Sequence, residues 1–226
     1  MTVNFISLDS KERIEFSPQK VIVAGFTGRN RRNVEEHLEE LKKEGIRVPD
    51  KVPTFYELDP SLCTTDDRIT VHSQFTSGEV EPVIVNIDGA YYTTCGSDHT
   101  DRALERTDIG KSKQACPHPV CSTLLKLDSL KNVWDSIEIS SEVSSGKTSL
   151  RYQQGKLSSI LGLDELLREM PPGLRNNLKN AVIFMGTIPL LTGKFVYGDA
   201  YRMTMSVPGA GVQLSFSYRV RVGAGI

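Results

Sequence analysis

Residues 77–85 read SGEVEPVIV, and residues 98–102 read DHTDR. The apolar residues of the first segment predict a mostly buried strand. Because side chains alternate along a strand, Glu79 and Glu81 are expected on one face, about 7 Å apart. Two carboxylates held that close repel each other unless a cation or a shared proton lies between them. The alternative interpretation is an exposed edge strand whose two glutamates are solvated.

A third acidic residue follows within reach of this pair. Asp98 is expected to arrive from a polar turn and to supply a third carboxylate. Three carboxylates without histidine or cysteine suit a hard divalent ion, Mg2+ or Mn2+, with Ca2+ as a substitute. The sequence therefore predicts a metal site formed by Glu79, Glu81 and Asp98.

Length and composition bound the class of protein without selecting a function. The chain has 226 residues, of which 38% are hydrophobic and 24% are charged, as in ordinary soluble proteins. Its net charge of -1 gives no electrostatic reason to expect a nucleic acid or an anionic membrane as partner. Residues 1–16 lack the apolar run of a signal peptide, and no run of about 18 apolar residues occurs, so we expect a cytoplasmic protein.

The cysteines predict reduced structural thiols rather than a metal site. They are Cys63, Cys95, Cys116 and Cys121. Residues 116–121, CPHPVC, have the look of a zinc knuckle but lack the second ligand pair that structural zinc sites need.

Apolar spacing predicts a mainly β body preceded by a small α/β segment. Residues 21–26 are expected to form a strand, and residues 31–44 a helix that stops at Gly45. A second helix is expected over residues 157–170. We expect the remaining strands over residues 69–73, 79–88, 134–143, 181–185, 195–207 and 212–222, with a hairpin turn at residues 144–147.

Several short motifs follow one another in a distinctive order. They are an opening strand at residues 21–26, His-x-x-Glu at residues 37–40, Glu-x-Glu at residues 79–81, Asp-x-Thr-x-Arg at residues 98–102, Lys-Ser at residues 111–112, Gln-Gly at residues 154–155, Gly-Thr-Ile-Pro at residues 186–189 and Gly-Asp at residues 198–199. No single motif is specific, but the succession resembles that of the fumarylacetoacetate hydrolase-like superfamily. Gly-Thr-Ile-Pro in place of Gly-Thr-Pro, and the extra residues 28–32 before the helix, indicate a divergent branch.

The resemblance implies a mainly β, α+β fold, namely a β-roll with a small N-terminal strand–helix segment that acts as a lid. It divides the chain into residues 1–60, the α/β and lid segment, and residues 61–226, the β-rich metal-binding catalytic domain, packed as one compact unit. It also implies a metal-dependent hydrolase that cleaves a C–C bond in a small β-diketo or 2-oxo acid. The carboxylate and carbonyl oxygens of such an acid would chelate the metal.

The resemblance also implies roles for residues outside the metal site. His37 and Glu40 are three apart and share a helix face, so the carboxylate can orient the imidazole as it takes a proton from water. The alternative for His37 is a surface histidine in an acidic helix. Lys113, with Lys111 as the other candidate, is expected to stabilise negative charge on the substrate.

Two further residues are expected to bind the substrate. Thr187 offers a hydroxyl and a backbone N–H to a substrate carboxylate, and Arg29 belongs to a basic loop that can grip an acidic substrate. The alternative interpretation is that the loop is a solvated surface with no ligand. Arg102 and Gln154 are expected to be structural.

Alternative functions remain open at the level of sequence. A decarboxylase, dehydratase or tautomerase of a 2-oxo acid can use the same metal site, and a non-catalytic metal- or anion-binding relative is the second alternative. The expected partner is a small anionic substrate, and the resemblance implies a homodimer.

Overall fold

A computed structural model describes residues 2–43 and 48–223, so the expected helix stop at Gly45 lies outside the described residues. The helices of this part of the chain are α1 (Arg31–Lys43), α2 (Arg102–Glu105), α3 (Ile109–Gln114), α4 (Leu163–Glu169) and α5 (Pro172–Arg175). Its strands are β1 (Val3–Ser7), β2 (Arg13–Phe16), β3 (Lys20–Gly25), β4 (Thr54–Leu58), β5 (Cys63–Thr64), β6 (Arg68–Val71), β7 (Thr76–Ile87), β8 (Ala90–Asp101), β9 (His118–Pro119), β10 (Thr123–Lys126), β11 (Glu138–Ser145), β12 (Thr148–Lys156), β13 (Ala181–Phe184), β14 (Ala200–Val207) and β15 (Val212–Val222).

Two sheets make up most of the protein. The larger has the strand order β2-β1-β10-β8-β7-β13-β3-β4, and the smaller has the order β12-β11-β14-β15-β6. A short parallel pair, β5 with β9, lies beside them. The strands of residues 1–60 join the same sheet as β7 and β8, and the division of the chain at residue 60 stays a prediction.

The apolar side chains form one core on each face of the larger sheet. Between the two sheets, Ile84 and Ile183 lie in one cluster with Ile139, Met203 and Leu214 of the smaller sheet. The opposite face carries a second cluster, which contains Val21, Val83, Val85, Val182 and Phe184. Burial on both faces explains the unbroken apolar runs of β3 and β13, which alternation alone would not predict.

Several expected elements are confirmed. The strand expected at residues 212–222 is β15, and that at residues 181–185 is β13, one residue shorter. The hairpin turn at residues 144–147 joins β11 to β12. All four cysteines are buried and free, as expected of structural thiols.

Three expected elements were wrong in extent. The helix expected over residues 157–170 is a 3₁₀ turn followed by α4, because Ile160 and Leu161 pair with the chain at residues 27–28. The strand expected from residue 134 begins at Glu138 after a 3₁₀ turn. The strand expected from residue 195 begins at Ala200, because the side chains of Phe195 and Tyr197 are exposed rather than buried in a sheet.

Asp98 lies in strand β8 and not in a polar turn. The strand continues through residues 97–100, although these residues are polar, because their side chains find buried partners. Ser97 Oγ lies 2.7 Å from the Tyr218 hydroxyl, and the Thr100 hydroxyl donates to Asp98 Oδ1. A buried polar strand has no apolar alternation and escapes pattern-based detection.

The buried His99 makes a prediction about acid stability. Its ring nitrogens bond Tyr218 and Thr76, and burial, followed by the charge of Arg102, lowers the pKa of His99 to about 3. Below about pH 6.5 the unfolded chain therefore binds a proton at His99 that the folded protein does not bind. The free energy of unfolding falls as the pH drops from about 6.5 towards 3.

We expect His99→Gln to lower this pH slope by up to about 1.4 kcal/mol per pH unit, since one proton is no longer linked to unfolding. Urea denaturation from pH 7 to pH 4 in EDTA measures the slope. The exposed His72 is the matched control, and His72→Gln should retain the wild-type slope. An equally steep slope in His99→Gln would contradict the assignment.

Candidate active site

The pairing of β7 with β8 brings three carboxylates to one face of the sheet. Glu79 lies directly opposite Asp98 in the antiparallel register, and Glu81 is two residues along β7. Opposite residues share a face, as do residues two apart in a strand. Glu81 and Asp98 are both only 2% exposed. The same-face arrangement expected for Glu79 and Glu81 is therefore present, and Asp98 joins it from the neighbouring strand.

Two buried cations contact these carboxylates. The Arg102 guanidinium donates from Nη2 to Glu79 Oε2 (2.7 Å) and from Nη1 to Glu105. The Lys113 ammonium, carried by α3, donates to Asp98 Oδ2. Lys111, the other candidate lysine, is exposed and pairs with Asp108 instead. The structure thus brings Lys113 and not Lys111 to the carboxylates.

Carboxyl groups outnumber cations at this site. Within residues 2–43 and 48–223 the cluster contains two cations, Arg102 and Lys113, and four carboxyl groups, Glu79, Glu81, Asp98 and Glu105. Burial and then the charge of Asp98 raise the pKa of Glu81 well above its ordinary value. Glu81 is therefore the carboxyl group with the least compensation.

The other ionisable groups respond to their neighbours. Burial is the largest single effect on Asp98 and would raise its pKa, but the charges of Lys113, His118 and Arg102 and the hydrogen bond from Lys113 together lower the pKa to about 2. Burial is also the largest single effect on Lys113 and would lower its pKa, but the charges of Asp98, Glu105 and Glu81 and the hydrogen bond to Asp98 together raise it. For Glu79, burial outweighs the charge of Arg102 and raises the pKa. The Asp98–Lys113 pair is therefore ionised, whereas ionisation of Glu79 and Glu81 is opposed.

The loop after β13 closes one side of the cluster. The backbone N–H of Gly186 donates to Glu81 Oε2 (2.8 Å), and Gly186 has φ +98°. A Cβ at this position would lie 1.9 Å from Thr27 Oγ1, so the close approach of these two segments requires glycine. The next residue, Thr187, donates its hydroxyl to the Val80 carbonyl (2.8 Å), beside the two glutamates.

Gln153 is a site residue that sequence reasoning missed. Its Nε2 donates to Thr187 Oγ1 (2.8 Å), and its Oε1 accepts from the backbone N–H of Val80 (2.8 Å). Gln154, the glutamine of the motif, is exposed. A shift of one residue along a strand turns a side chain to the other face, which only the register of β12 reveals.

His118 is the second residue that sequence reasoning missed. Its Nε2 lies 2.9 Å from the Lys113 carbonyl oxygen, which only accepts, so Nε2 carries a proton. Its Nδ1 lies 3.4 Å from Asp98 Oδ1 and has no hydrogen-bond partner in the described part of the chain. The segment CPHPVC therefore contributes a buried imidazole next to Asp98, which its similarity to a zinc knuckle did not predict.

His37 and Glu40 lie together on the exposed surface of α1. Both side chains are mostly exposed on α1, with His37 Nδ1 3.8 Å from Glu40 Oε2. Only Val34 of the described side chains of α1 is buried, and Leu38 is half-buried. The structure therefore shows the pair together but does not bring it to Glu79, Glu81 and Asp98.

Arg29 contacts acidic residues that do not belong to the cluster. It forms a bidentate pair with Asp135 (2.8 and 2.9 Å) and lies 3.8 Å from Glu165. Its backbone N–H donates to the Ser159 carbonyl, next to the Leu161 to Thr27 hydrogen bond. These contacts fix the base of α1, so Arg29 is occupied by acidic residues of this chain.

The carboxylate oxygens of the cluster suit a hard divalent cation, but two of the carboxylates are paired with cationic side chains of the protein. Glu79 faces Arg102 and Asp98 faces Lys113. Among the residues described, no three His, Cys, Asp or Glu side chains converge closely enough to hold a metal ion. A metal would therefore have to draw the carboxylates together, at the expense of these ion pairs.

Within residues 2–43 and 48–223, no helix is long and apolar enough to cross a membrane.

Solved structures with similar folds were found. A 2-keto-3-deoxyarabinonate dehydratase superposes with a TM-score of 0.62 at 16% identity, covering 92% of this chain and 75% of that chain. Cg1458 with inhibitor superposes with a TM-score of 0.64 at 17% identity, covering 94% of this chain and 81% of that one. A 2-keto-3-deoxy-D-arabinonate dehydratase complexed with magnesium and 2,5-dioxopentanoate gives 0.60 at 15% identity, covering 92% and 75%.

At these identities the likeness concerns the fold, and the expected fumarylacetoacetate hydrolase-like β fold is confirmed. No curated protein matches the chain. A family model matches residues 24–218, well over half of the sequence, and the chain therefore belongs to the family described as protein of unknown function, DUF2848.

Proposed function

We propose that this protein is a metal-dependent enzyme acting on a small 2-oxo or β-diketo acid. The observation that carries the proposal is the largely buried group of Glu79, Glu81 and Asp98 on one face of β7 and β8, where four carboxyl groups share two cations. Buried carboxylates persist only where a cation or a proton offsets their charge. The similar structure that contains magnesium and 2,5-dioxopentanoate supports this choice of cation and substrate class.

Glu79, Glu81 and Asp98 are proposed to hold the metal. Their oxygen ligands suit Mg2+ or Mn2+, with Ca2+ as a weaker substitute for catalysis because its coordination is looser. When bound, such an ion would act as a Lewis acid that stabilises negative charge developing on a substrate oxygen. Gly186 holds Glu81 in place through its backbone N–H, and His118 lies against Asp98.

Lys113 and Thr187 are proposed to bind the anionic substrate. Lys113 is already ionised against Asp98, so it can transfer part of its hydrogen bonding to a substrate carboxylate or oxyanion without a change of protonation. The Thr187 hydroxyl donates to Val80 and accepts from Gln153, and its backbone N–H, which has no acceptor among the described residues, is the proposed donor to substrate. Arg29 is proposed to anchor the lid rather than to bind substrate, because Asp135 occupies its guanidinium.

For hydrolysis of a C–C bond, His37 and Glu40 are proposed to activate water. In the present conformation the pair is exposed, so the helix α1 must close over the cluster before this chemistry can occur. The anchor at Arg29 defines the point about which such a closure would turn.

Dehydration of a 2-oxo acid is the second candidate function. It is favoured by the similar structures, two of which are 2-keto-3-deoxyarabinonate dehydratases, and by the exposure of the His37–Glu40 pair on α1. Decarboxylation and tautomerisation use the same charge stabilisation, and a non-catalytic metal- or anion-binding protein remains the alternative outside enzymes. A homodimer in the cytoplasm stays a prediction.

The first prediction concerns the metal site. Glu81→Gln keeps the shape of the side chain and removes its charge, so we expect the affinity for Mg2+ and Mn2+ to fall by at least about 100-fold. Isothermal titration calorimetry on protein stripped with EDTA measures this affinity. The control is Glu57→Gln, at an exposed glutamate of β4 that pairs with Lys20. Equal affinities in Glu81→Gln and wild type would refute the site.

The second prediction separates water activation from metal binding. We expect His37→Ala to lower turnover by about 100- to 10,000-fold while metal affinity is kept, because His37 is not a proposed ligand. Glu40→Gln should fall in the same range, and His72→Ala serves as the control for an exposed histidine. The measurement is a screen of small 2-oxo and β-diketo acids. Unchanged turnover in His37→Ala would favour a reaction without activated water.

The third prediction concerns the lid. Since α1 buries a single described apolar side chain, Val34, its backbone amides should exchange faster than those of β7 in the free protein. Addition of Mg2+ and oxalate should slow exchange in residues 34–43, as the helix closes. Hydrogen exchange read by mass spectrometry gives both values. Protection of α1 equal to that of β7 without ligand would contradict a mobile lid.

A further inference from the structure

An exposed group of aromatic side chains lies next to the cluster, and we call it the aromatic rim. It consists of Phe75, Phe195 and Tyr197, which are 46%, 40% and 43% exposed. The rings of Phe75 and Tyr197 meet edge to face, with centroids 5.7 Å apart. Phe195 lies over the guanidinium of Arg102, whose Cζ is 4.0 Å from the ring centroid.

The rim is connected to the proposed metal site through Arg102. The guanidinium that stacks on Phe195 also bonds Glu79 Oε2 at 2.7 Å, and the backbone N–H of Arg102 donates to the Phe75 carbonyl (2.8 Å). One side chain therefore separates the exposed rings from a proposed metal ligand. A substituent that reached from the cluster past Arg102 would meet these rings.

The segment that carries Phe195 and Tyr197 is held firmly. The Val196 backbone, between the two rings, bonds the hydroxyls of the buried Tyr152 and Tyr201. Gly198 packs so closely on β11 that a Cβ would lie 2.6 Å from the Ser144 carbonyl oxygen. The rings therefore stand on a fixed backbone, which lowers the entropy cost of binding against them.

The rim presents hydrocarbon rather than free charge. The donors of Arg102 are occupied, since Nε bonds Ser77, Nη1 bonds Glu105 and Nη2 bonds Glu79. A second carboxylate on the substrate would thus find no free guanidinium donor here. An apolar or aromatic substituent would bury its surface against the rings and gain edge-to-face contacts.

The exposed area argues for a small ligand rather than a second copy of the chain. Three aromatic side chains less than half exposed offer on the order of 250 Å² of surface. A stable protein–protein interface needs about 800 Å² from each partner.

We propose that the aromatic rim is the substrate subsite that selects 2-oxo acids bearing an apolar or aryl substituent. This inference rests on the proposed function, because it assumes that the oxo-acid end binds at the metal cluster. Phe195 is the proposed specificity-determining residue, and its contribution lies in affinity for the substituent rather than in the chemical step.

The test is calorimetric titration of the Mn2+-loaded protein with three probes, namely oxalate, pyruvate and phenylpyruvate. We expect phenylpyruvate to bind at least about tenfold more tightly than pyruvate. In Phe195→Ala this advantage should fall below about threefold, while the affinity for oxalate stays within about twofold. Phe195→Leu, which keeps an apolar cover on Arg102, should be intermediate, and the exposed Ile6→Ala should behave as wild type.

The outcomes distinguish the two levels of the proposal. If oxalate binds but phenylpyruvate binds no better than pyruvate, the rim is not a subsite and the proposed function survives. If oxalate does not bind to the Mn2+-loaded protein, the proposed function fails and this inference fails with it. If sedimentation shows that Phe195→Ala turns a dimer into a monomer, the rim is an interface between copies, which overturns the subsite.

Discussion

The register between β7 and β8 is the constraint on which the candidate site depends. It sets Glu79 opposite Asp98, and it places Glu81 on the same face. A slip of one residue would turn the carboxylates of one strand towards the opposite core. The register is secured along the whole length of both strands, from Thr76 opposite Asp101 to Ile87 opposite Ala90, so the site inherits the stability of the central hairpin.

The charges at this hairpin explain why so many polar groups are buried around it. Arg102 and Lys113 offset two carboxylates, and the backbone of Gly186 supplies a donor to Glu81. Burial and then the charge of Asp98 raise the pKa of Glu81, so its charged form needs a further cation beside it. This gives a physical reason to propose a bound cation, because an unpaired buried carboxylate is costly for stability. The base of α1 contacts the same place, because Thr27 packs on Gly186.

Sequence reasoning reached the mainly β body and the Glu79–Glu81 pair because these depend on local periodicity, whereas Asp98 was reached from its position in the succession of motifs. The apolar runs identified β3, β7, β13 and β15, and alternation placed Glu79 beside Glu81. It missed the strand that carries Asp98, whose residues are polar and are satisfied only by tertiary partners. Gln153 and His118 were missed for a related reason, since register and long-range pairing decide which side chain faces the site. The sequence left Lys111 and Lys113 as alternatives, and the turn of α3 places Lys113 against Asp98.

We propose that Glu79, Glu81 and Asp98 together hold a divalent ion that a small oxo acid chelates. A crystal structure of the protein soaked with Mn2+ and oxalate, with anomalous diffraction used to locate manganese, tests it most directly. We expect one manganese peak at about 2.1 Å from oxygen atoms of all three carboxylates, with oxalate bound to the ion and within hydrogen-bond distance of Lys113. We also expect the Glu79–Arg102 and Asp98–Lys113 pairs to lengthen. A manganese peak elsewhere, or oxalate bound to Lys113 and Arg102 with no metal at the carboxylates, would contradict it.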